Sequence, residues 1–225
     1  GYVYLPTGAP TNDMYGGHRL GNNLYANSLV CIDTATGERV WHFQTIHHDL
    51  WDYDNNVAPI LMDITVDGRP IRAVVQLTKQ AIAYTFDRVT GEPIWPIVER
   101  PVPGSNTPGE WISPTQPFPT KPLPFDRHGI TEDDLIDFTD ELKAEALQIV
   151  KPYILGEIFT PPSIRGNDAT DTKGTLQLPG SVGGAEWGGA GFDPETGMLY
   201  IPSVTGAFAA DLTPGNPDRM NVRFT

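Results

Sequence analysis

The chain has 225 residues and a formal net charge of −13, which argues against nucleic acid or an anionic membrane as a partner because both need a basic surface. Its 23 glycines and 22 prolines follow no collagen-like period and indicate short strands joined by ordered loops. Cys31 is the only cysteine, which excludes an internal disulfide and argues against a cysteine-based metal site.

Both ends of the chain look cut. Residues 1–6 already have the pattern of a strand and no Met precedes them, and residues 221–225 carry no terminal signal. No apolar stretch is long enough to span a bilayer, and no signal peptide is visible. We therefore expect a piece of a longer protein.

A short pattern occurs three times along the chain: a strand, then Asp-x-x-Thr-Gly, then a second strand. The copies begin at Asp33, Asp87 and Asp193, and in the first two a tryptophan, Trp41 or Trp95, follows the glycine by four residues. The aspartate can bind the amides of the turn, and the glycine supplies the positive φ that closes it. The three copies predict the hairpins of a β-propeller with four-stranded blades, in which the tryptophan packs between neighbouring blades.

A long insertion, residues 101–179, separates the second and third copies. Its first part, up to residue 124, is Pro-rich and predicts an extended, ordered loop. Thr131 and Asp134 then resemble a capping box, and apolar residues at helical spacing predict one or two helices over residues 132–150. We expect this helical part to pack on the propeller rim, and contact with a partner or a membrane is the alternative.

Residues 41–54 leave a strand and concentrate His, Asp, Trp and Tyr side chains, as binding loops on a rigid scaffold often do. His47, His48 and Asp49 are compatible with a transition-metal site. However, adjacent histidine side chains on an extended chain diverge, so one metal rarely binds both. A purely structural role for the loop is the other interpretation.

The string His-His-Asp-Leu-Trp-Asp-Tyr-Asp at residues 47–54 closely resembles the dehydrogenases that use pyrroloquinoline quinone (PQQ), especially the membrane-bound glucose and quinate dehydrogenase branch. Further matches to this family follow in the right order and cover essentially the whole chain, at residues 4–8, 13–19, 77–80, 86–88, 108–110, 113–117, 159–163 and 183–189. The resemblance implies an all-β fold, in which residues 1–225 are part of a single PQQ-binding β-propeller domain. The chain would form about three of eight four-stranded blades, with the Pro-rich, partly helical insertion between them.

The resemblance also implies the chemistry of the loop. An aspartate at the position of Asp49 would act as general base and take the alcohol proton, while the carbon-bound hydrogen passes as hydride to the quinone. A calcium ion would lie against the quinone, with Asp49 among its oxygen ligands. Asp52 and Asp54 are the competing carboxylates, and we interpret them as groups that structure the loop.

Three other positions match residues beside the cofactor. Lys79 would place a cation next to the quinone oxygens and stabilise the anionic reduced form, unless it only extends to solvent at a strand end. Trp187 would face the cofactor from a later blade, and ordinary packing within the blade is its other interpretation. Thr7 would make a polar contact near the site.

Two positions depart from the family pattern. Many relatives have a calcium-binding Asn where this chain has Ala9, so Asn12, or Asp13 beside it, becomes the candidate ligand. Glu186 stands where an Asn usually precedes Trp187, and a carboxylate there would bind the metal, alter the cofactor contacts or mark lost function.

The implied function is oxidation of an alcohol or sugar of the glucose, quinate or polyol type, with PQQ and Ca²⁺ as cofactors and a further quinone or other electron acceptor. The implied location is the periplasm, with attachment to the inner membrane through a region that precedes this chain. Other cofactor ligands would come from the remaining blades, so the chain alone is expected to be inactive. A non-catalytic propeller that acts as a scaffold or binding module is the alternative.

Overall fold

A computed structural model describes residues 1–166 and 171–225, which form mainly short β-strands. The strands are β1 (Tyr2–Pro6), β2 (Ser28–Asp33), β3 (Arg39–Gln44), β4 (Ile60–Val66), β5 (Arg69–Leu77), β6 (Ala83–Asp87), β7 (Ile97–Pro101), β8 (Thr115–Pro119), β9 (Ser163–Ile164), β10 (Thr175–Gln177), β11 (Gly191–Asp193), β12 (Met198–Tyr200) and β13 (Phe208–Leu212). The described helical elements are a 3-10 turn (Glu132–Asp134) and helix α1 (Asp140–Val150). No helix in these two ranges combines the length and apolar character needed to cross a bilayer.

Two antiparallel sheets, with strand orders β1-β2-β3 and β4-β5-β6, form the centre of the fold. Trp41 on β3 packs between them, with Leu29 from the first sheet and Val74, Tyr84 and Phe86 from the second. The ring centroids of Trp41 and Phe86 are 5.7 Å apart. The tryptophan of the first repeat therefore packs between neighbouring blades, as the sequence predicts.

The three Asp-x-x-Thr-Gly copies form the same turn. Each aspartate accepts a hydrogen bond from the main-chain N–H two residues later, at 2.8, 2.8 and 2.9 Å in chain order. Each glycine has a positive φ, which suits a residue without a side chain: Gly37 (75°), Gly91 (77°) and Gly197 (72°). At Gly91 a Cβ would also lie 2.6 Å from the ring of Trp41, so this glycine serves both the turn and the packing of the blades.

The largest sheets of the described residues have three strands, whereas the sequence predicts blades of four. In the second sheet the segment after the turn pairs with β6 through the bridge Phe86–Pro93 and two main-chain hydrogen bonds, from Asp87 N to Glu92 O at 2.8 Å and from Ile94 N to Thr85 O at 2.9 Å, and forms no regular strand. Pro93 has no N–H to donate, so a regular ladder cannot continue there. The described residues close no barrel, and the architecture is a partial β-propeller.

The remaining strands form small sheets: the hairpins β7-β8 and β11-β12, and the mixed sheet β10-β13-β9. Phe192 on β11 and Leu199 on β12 pack against the cluster that contains Val75 and Leu77 of the second sheet. This contact holds the third repeat against the second.

The insertion is partly helical, as predicted, but the helical part differs in detail. Thr131 N and Oγ1 both donate to Asp134 Oδ2, at 2.7 and 2.8 Å, and form the expected capping interaction. Two helical elements lie within the predicted range of one or two helices, separated by residues 135–139, and α1 starts after the cap residue Thr139. No residue of α1 is buried, so the expected packing on the rim is not seen for this helix. Residues 167–170 of the insertion lie outside the described residues.

Candidate active site

The His-His-Asp-Leu-Trp-Asp-Tyr-Asp string lies in the loop between β3 and β4, and Asp49 fixes the shape of this loop. Its carboxylate accepts hydrogen bonds from Trp51 N (2.7 Å), Tyr53 N (2.9 Å) and Asn27 Nδ2 (2.8 Å). Asp49 is buried, and burial raises its pKa to about 6 although the three hydrogen bonds favour the charged form.

This environment does not suit a base that faces a substrate. Both oxygens of Asp49 already accept hydrogen bonds, two of them from N–H groups of its own loop. An aspartate that binds main-chain amides two and four residues later organises a turn. The structure therefore gives Asp49 a structural role, and the interpretation of Asp49 as general base and calcium ligand gains no support from its contacts.

The carboxylates that lie beside Lys79 are those of Asp52 and Asp54, which the sequence analysis treats as loop-structuring groups. Lys79 Nζ lies 2.8 Å from Asp54 Oδ2, 3.2 Å from Asp52 Oδ2 and 2.9 Å from Asp52 O. The Lys79 side chain is 8% exposed, while those of Asp52 and Asp54 are 27% and 30% exposed. This cluster joins a buried cation to two carboxylates that solvent or a ligand can reach.

The pKa values of the two carboxyl groups shift in opposite directions. Burial, together with the charges of Asp54 and Asp13, raises the pKa of Asp52 to about 7, and the nearby Lys79 only partly opposes this effect. Burial also acts on Asp54, but hydrogen bonds from Lys79 and from Ala9 N outweigh it and lower the pKa of Asp54. The same pairing raises the pKa of Lys79 despite its burial. Near neutral pH the cluster therefore contains a charged lysine, a charged Asp54 and an Asp52 that can exchange a proton.

The loop at residues 183–187 approaches the site from the other side. Gly184 N donates to Lys79 O at 2.7 Å, and a Cβ on Gly183 would lie 2.5 Å from Lys79 Cγ. Glu186 Oε2 accepts a 2.6 Å hydrogen bond from Asn56 Nδ2, which links this loop to the one that carries Asp52. Trp187 is 82% exposed, so it does not pack within the blade. The structure thus brings Lys79 and the loop of Glu186 and Trp187 together.

The two adjacent histidines diverge, as expected. His47 contacts Gln44 and Glu99, both at 3.0 Å, whereas the buried ring of His48 contacts Gly21 O at 2.7 Å and Glu110 at 3.4 Å. Over residues 1–166 and 171–225, no group of three or more His, Cys, Asp or Glu side chains is placed to hold a metal ion. The described residues therefore give no support to a transition-metal site in this loop.

Thr7 and Asn12, two further candidates, have structural contacts. Thr7 Oγ1 donates to Tyr25 O at 2.6 Å and accepts from Ser28 N at 2.8 Å, which ties the end of β1 to β2. Asn12 Nδ2 donates to Phe224 O at 3.2 Å, and Asn12 O accepts from Arg19 at 3.0 Å. Neither residue has a described contact with Lys79 or Asp52.

The sequence did not identify Asn27 and Glu110, two residues that support the loops of the site through hydrogen bonds. Asn27 holds both Asp49 and Tyr53 O, and Glu110 binds Gly16 N at 2.7 Å while it faces His48. The one sequence feature that pointed to Glu110 is its place in residues 108–110, which resemble the family. No pattern in the sequence singles out Asn27.

A buried lysine, two partly exposed carboxylates and the loop that carries an exposed tryptophan come together in this partial propeller. The chain belongs to the PQQ family described as "Glucose/ethanol/alcohol dehydrogenase, beta-propeller domain", which matches residues 1–223.

Among its relatives, the chain is 39% identical over 227 residues to quinoprotein glucose dehydrogenase A of Acinetobacter calcoaceticus, covering 96% of this chain and 27% of that protein. It is 36% identical to quinoprotein glucose dehydrogenase of Escherichia coli K12, covering 96% of this chain and 26% of that protein. The fold resembles that of the quinohemoprotein alcohol dehydrogenase ADHIIG of Pseudomonas putida HK5, with a TM-score of 0.58 at 22% identity over 97% of this chain and 26% of that one. The chain thus spans about a quarter of the length of these proteins and matches the glucose dehydrogenase branch.

Proposed function

We propose that this chain is the part of a PQQ-dependent alcohol or sugar dehydrogenase that supplies the catalytic base and the cation beside the quinone. The observation that carries this proposal is the contact of Lys79 Nζ with Asp52, at 3.2 Å to Oδ2 and 2.9 Å to the main-chain oxygen. Asp52 is reachable and its pKa is about 7, whereas Asp49 is enclosed by its own loop. We therefore assign the role of base to Asp52.

The residues around Lys79 fit such a cofactor. PQQ is flat and aromatic and carries several oxygens, so it requires a cation, hydrogen-bonding groups and an aromatic surface. Lys79 would supply the cation and Trp187, 82% exposed, would supply an aromatic surface. Asn56 Oδ1 is buried without a hydrogen-bond partner, although its Nδ2 binds Glu186, so a polar atom remains for a ligand beside this loop.

Bound PQQ supplies the acceptor for the hydride that leaves the alcohol carbon. Asp52 accepts the hydroxyl proton at a carboxylate oxygen, and a pKa near the working pH suits a general base. Lys79 remains protonated and stabilises negative charge on the oxygens next to it. The alcohol thus loses one proton and one hydride and becomes a carbonyl compound.

The complete enzyme requires more than this chain. Calcium, which the family resemblance implies, would need ligands beyond those that the described residues group together. We expect the remaining blades to supply them and to close the cofactor site, so the isolated chain should be inactive. Glucose, quinate and polyols are the candidate substrates. The proposed location is periplasmic, with attachment to the inner membrane through another part of the protein, and only the family resemblance supports it.

The test uses the full-length protein, reconstituted with PQQ and Ca²⁺ and assayed by dye reduction with glucose, quinate and glycerol. Asp52→Asn should lower kcat by about 10²–10⁴-fold, the usual contribution of a general base, while absorbance shows that PQQ stays bound. Asp63→Asn is the matched control. This carboxylate is 75% exposed and pairs with Arg88, in the turn that follows β6, and it has no described contact with Lys79. Unchanged turnover in Asp52→Asn would remove Asp52 from the role of base.

The same experiment separates the enzyme from the non-catalytic alternatives. A wild-type protein that binds PQQ but reduces no dye with any substrate would favour a binding module. A protein that binds no PQQ at all would favour a scaffold.

A further inference from the structure

The two carboxylates that contact Lys79 are held differently. Asp54 uses both oxygens: Oδ2 lies 2.8 Å from Lys79 Nζ, and Oδ1 accepts a 2.6 Å hydrogen bond from Ala9 N. Asp52 Oδ2 has a longer contact of 3.2 Å with Lys79 Nζ, and its only other side-chain partner in the described residues is the Asp54 carboxyl group, with which it shares a hydrogen bond when protonated. N–H groups therefore hold the Asp54 carboxylate at two points and the Asp52 carboxylate at one.

Asp54 also connects three separate segments of the chain. It belongs to the loop after β3, it binds Lys79 in the β5-β6 hairpin, and it binds Ala9 in the loop after β1. The third contact is close, because a Cβ on Gly8 would lie only 2.6 Å from Asp54 Oδ1. A side chain at residue 8 would push the carboxylate away, so the glycine permits the contact.

A base and a cation that pair only with each other weaken both functions, because the ion pair stabilises the deprotonated base and lowers its proton affinity. A second carboxylate changes this balance, since it can hold the cation while the first exchanges a proton. The lowered pKa of Asp54 and the pKa of about 7 for Asp52 agree with such a division.

We propose that Asp54 is a positioning residue, which anchors the Lys79 ammonium against the Ala9 main chain so that Asp52 can give up its longer contact and take the substrate proton. This proposal rests on the proposed function, because it assigns a role relative to Asp52 as base. It predicts that Lys79 becomes misplaced when Asp54 loses its charge.

The first measurement does not depend on turnover. Full-length apo-protein is treated with acetic anhydride, and mass spectrometry gives the labelling rate of Lys79 relative to the exposed Lys121. In Asp54→Asn the relative rate should rise several-fold because the ammonium loses its anchor, and Asp54→Glu should restore part of the protection. Asp63→Asn, a surface carboxylate, should leave the ratio as in the wild type. An unchanged labelling ratio in Asp54→Asn would overturn the anchoring role.

The second measurement follows the reconstituted holoenzyme. Asp54→Asn should lower kcat about 10- to 100-fold, with a smaller effect on KM, because a misplaced catalytic constellation costs rate. The acidic limb of the pH profile should move to higher pH, because the displaced Lys79 no longer lowers the pKa of Asp52 and this loss outweighs the loss of the Asp54 charge. A wild-type kcat and pH profile in this variant would contradict the proposal. If even the wild type shows no PQQ-dependent turnover, the proposed function fails, whereas the labelling result still decides whether Asp54 anchors Lys79.

Discussion

Asp49 and Asp52 lie three residues apart in one loop, and replacing each by asparagine should have different results. Asp49→Asn keeps the shape of the side chain but puts an NH₂ group where one carboxylate oxygen accepts a hydrogen bond. The amide oxygen can still serve either Trp51 N or the pair of Tyr53 N and Asn27, but not both sides. We therefore expect an effect on the stability of the loop and, unlike in Asp52→Asn, only a secondary effect on turnover.

Two opposing contributions set the change in the free energy of unfolding that Asp49→Asn causes. Loss of one hydrogen bond to a charged acceptor costs about 1.5–3 kcal/mol. The buried charge is itself unfavourable, because the pKa of Asp49 rises from 3.8 to about 6, which corresponds to about 3 kcal/mol at 1.4 kcal/mol per unit. At pH 7 these contributions nearly cancel, and we expect a small change in the free energy of unfolding.

The stability difference between the wild type and Asp49→Asn nevertheless depends on pH. A raised native pKa means that the folded protein binds a proton more tightly than the unfolded chain between pH 3.8 and about 6, so this group adds stability as the pH falls through that window. The asparagine variant lacks this gain. Relative to the wild type, Asp49→Asn should therefore be about 2.5 kcal/mol less stable at pH 4 than it is at pH 7.

Urea unfolding of the full-length apo-protein, followed by tryptophan fluorescence at pH 4, 5.5 and 7, measures this difference. Asp193→Asn is the matched control with the opposite sign, because the Thr196 hydroxyl and Glu195 N–H lower the pKa of Asp193. Its stability loss should grow as the pH rises. If the difference between the wild type and Asp49→Asn is the same at all three pH values, Asp49 does not carry a buried, titrating carboxylate and our account of the loop is wrong.

Two more substitutions test the framework around the site. Trp41→Ala empties the space between the two central sheets and should destabilise the protein by about 3–5 kcal/mol in thermal unfolding, and Trp41→Phe should lose less because it keeps an aromatic ring in contact with Phe86. Glu110→Ala leaves Gly16 N without its acceptor and the buried His48 Nε2 without its partner, at a cost of about 2–4 kcal/mol. Glu110→Gln keeps one acceptor oxygen and should cost less, and equal losses in the two variants would contradict this explanation.

Local rules explain what the sequence predicts correctly about the fold. The Asp-x-x-Thr-Gly turns depend on an aspartate that binds nearby amides and a glycine with positive φ, and both residues are visible within five consecutive positions of the sequence. The sequence also explains why the second sheet has no fourth strand. Pro93 lies where a further strand would need a main-chain N–H donor, and proline has none. The surface position of α1 could not be predicted in this way, because Leu142 and Ile149 have the apolar spacing of a packed helix and yet are exposed.

The choice among Asp49, Asp52 and Asp54 could not be made from the sequence. Which carboxylate reaches Lys79 depends on the direction of the backbone, and two residues of this loop, His48 (φ 50°) and Asp52 (φ 57°), adopt the left-handed conformation that non-glycine residues rarely take. Each such residue reverses the local course of the chain, so spacing along the sequence does not predict which side chain points into the site. The buried contacts of Asp49 compensate for this strain by holding the loop on both sides of the turn.

The site forms where three repeats meet, and this connects its chemistry to the packing of the sheets. Asp52 follows β3, Lys79 lies between β5 and β6, and the loop with Trp187 precedes β11, so each repeat contributes one part. The contacts among these parts, from Lys79 to Asp52 and from Gly184 N to Lys79 O, can form only if neighbouring sheets keep their spacing. Because Trp41 and Gly91 pack between the first two sheets, we expect them to set the distance between Asp52 and Lys79 without contacting either residue. The same repeat that makes the fold recognisable therefore also positions the proposed catalytic groups.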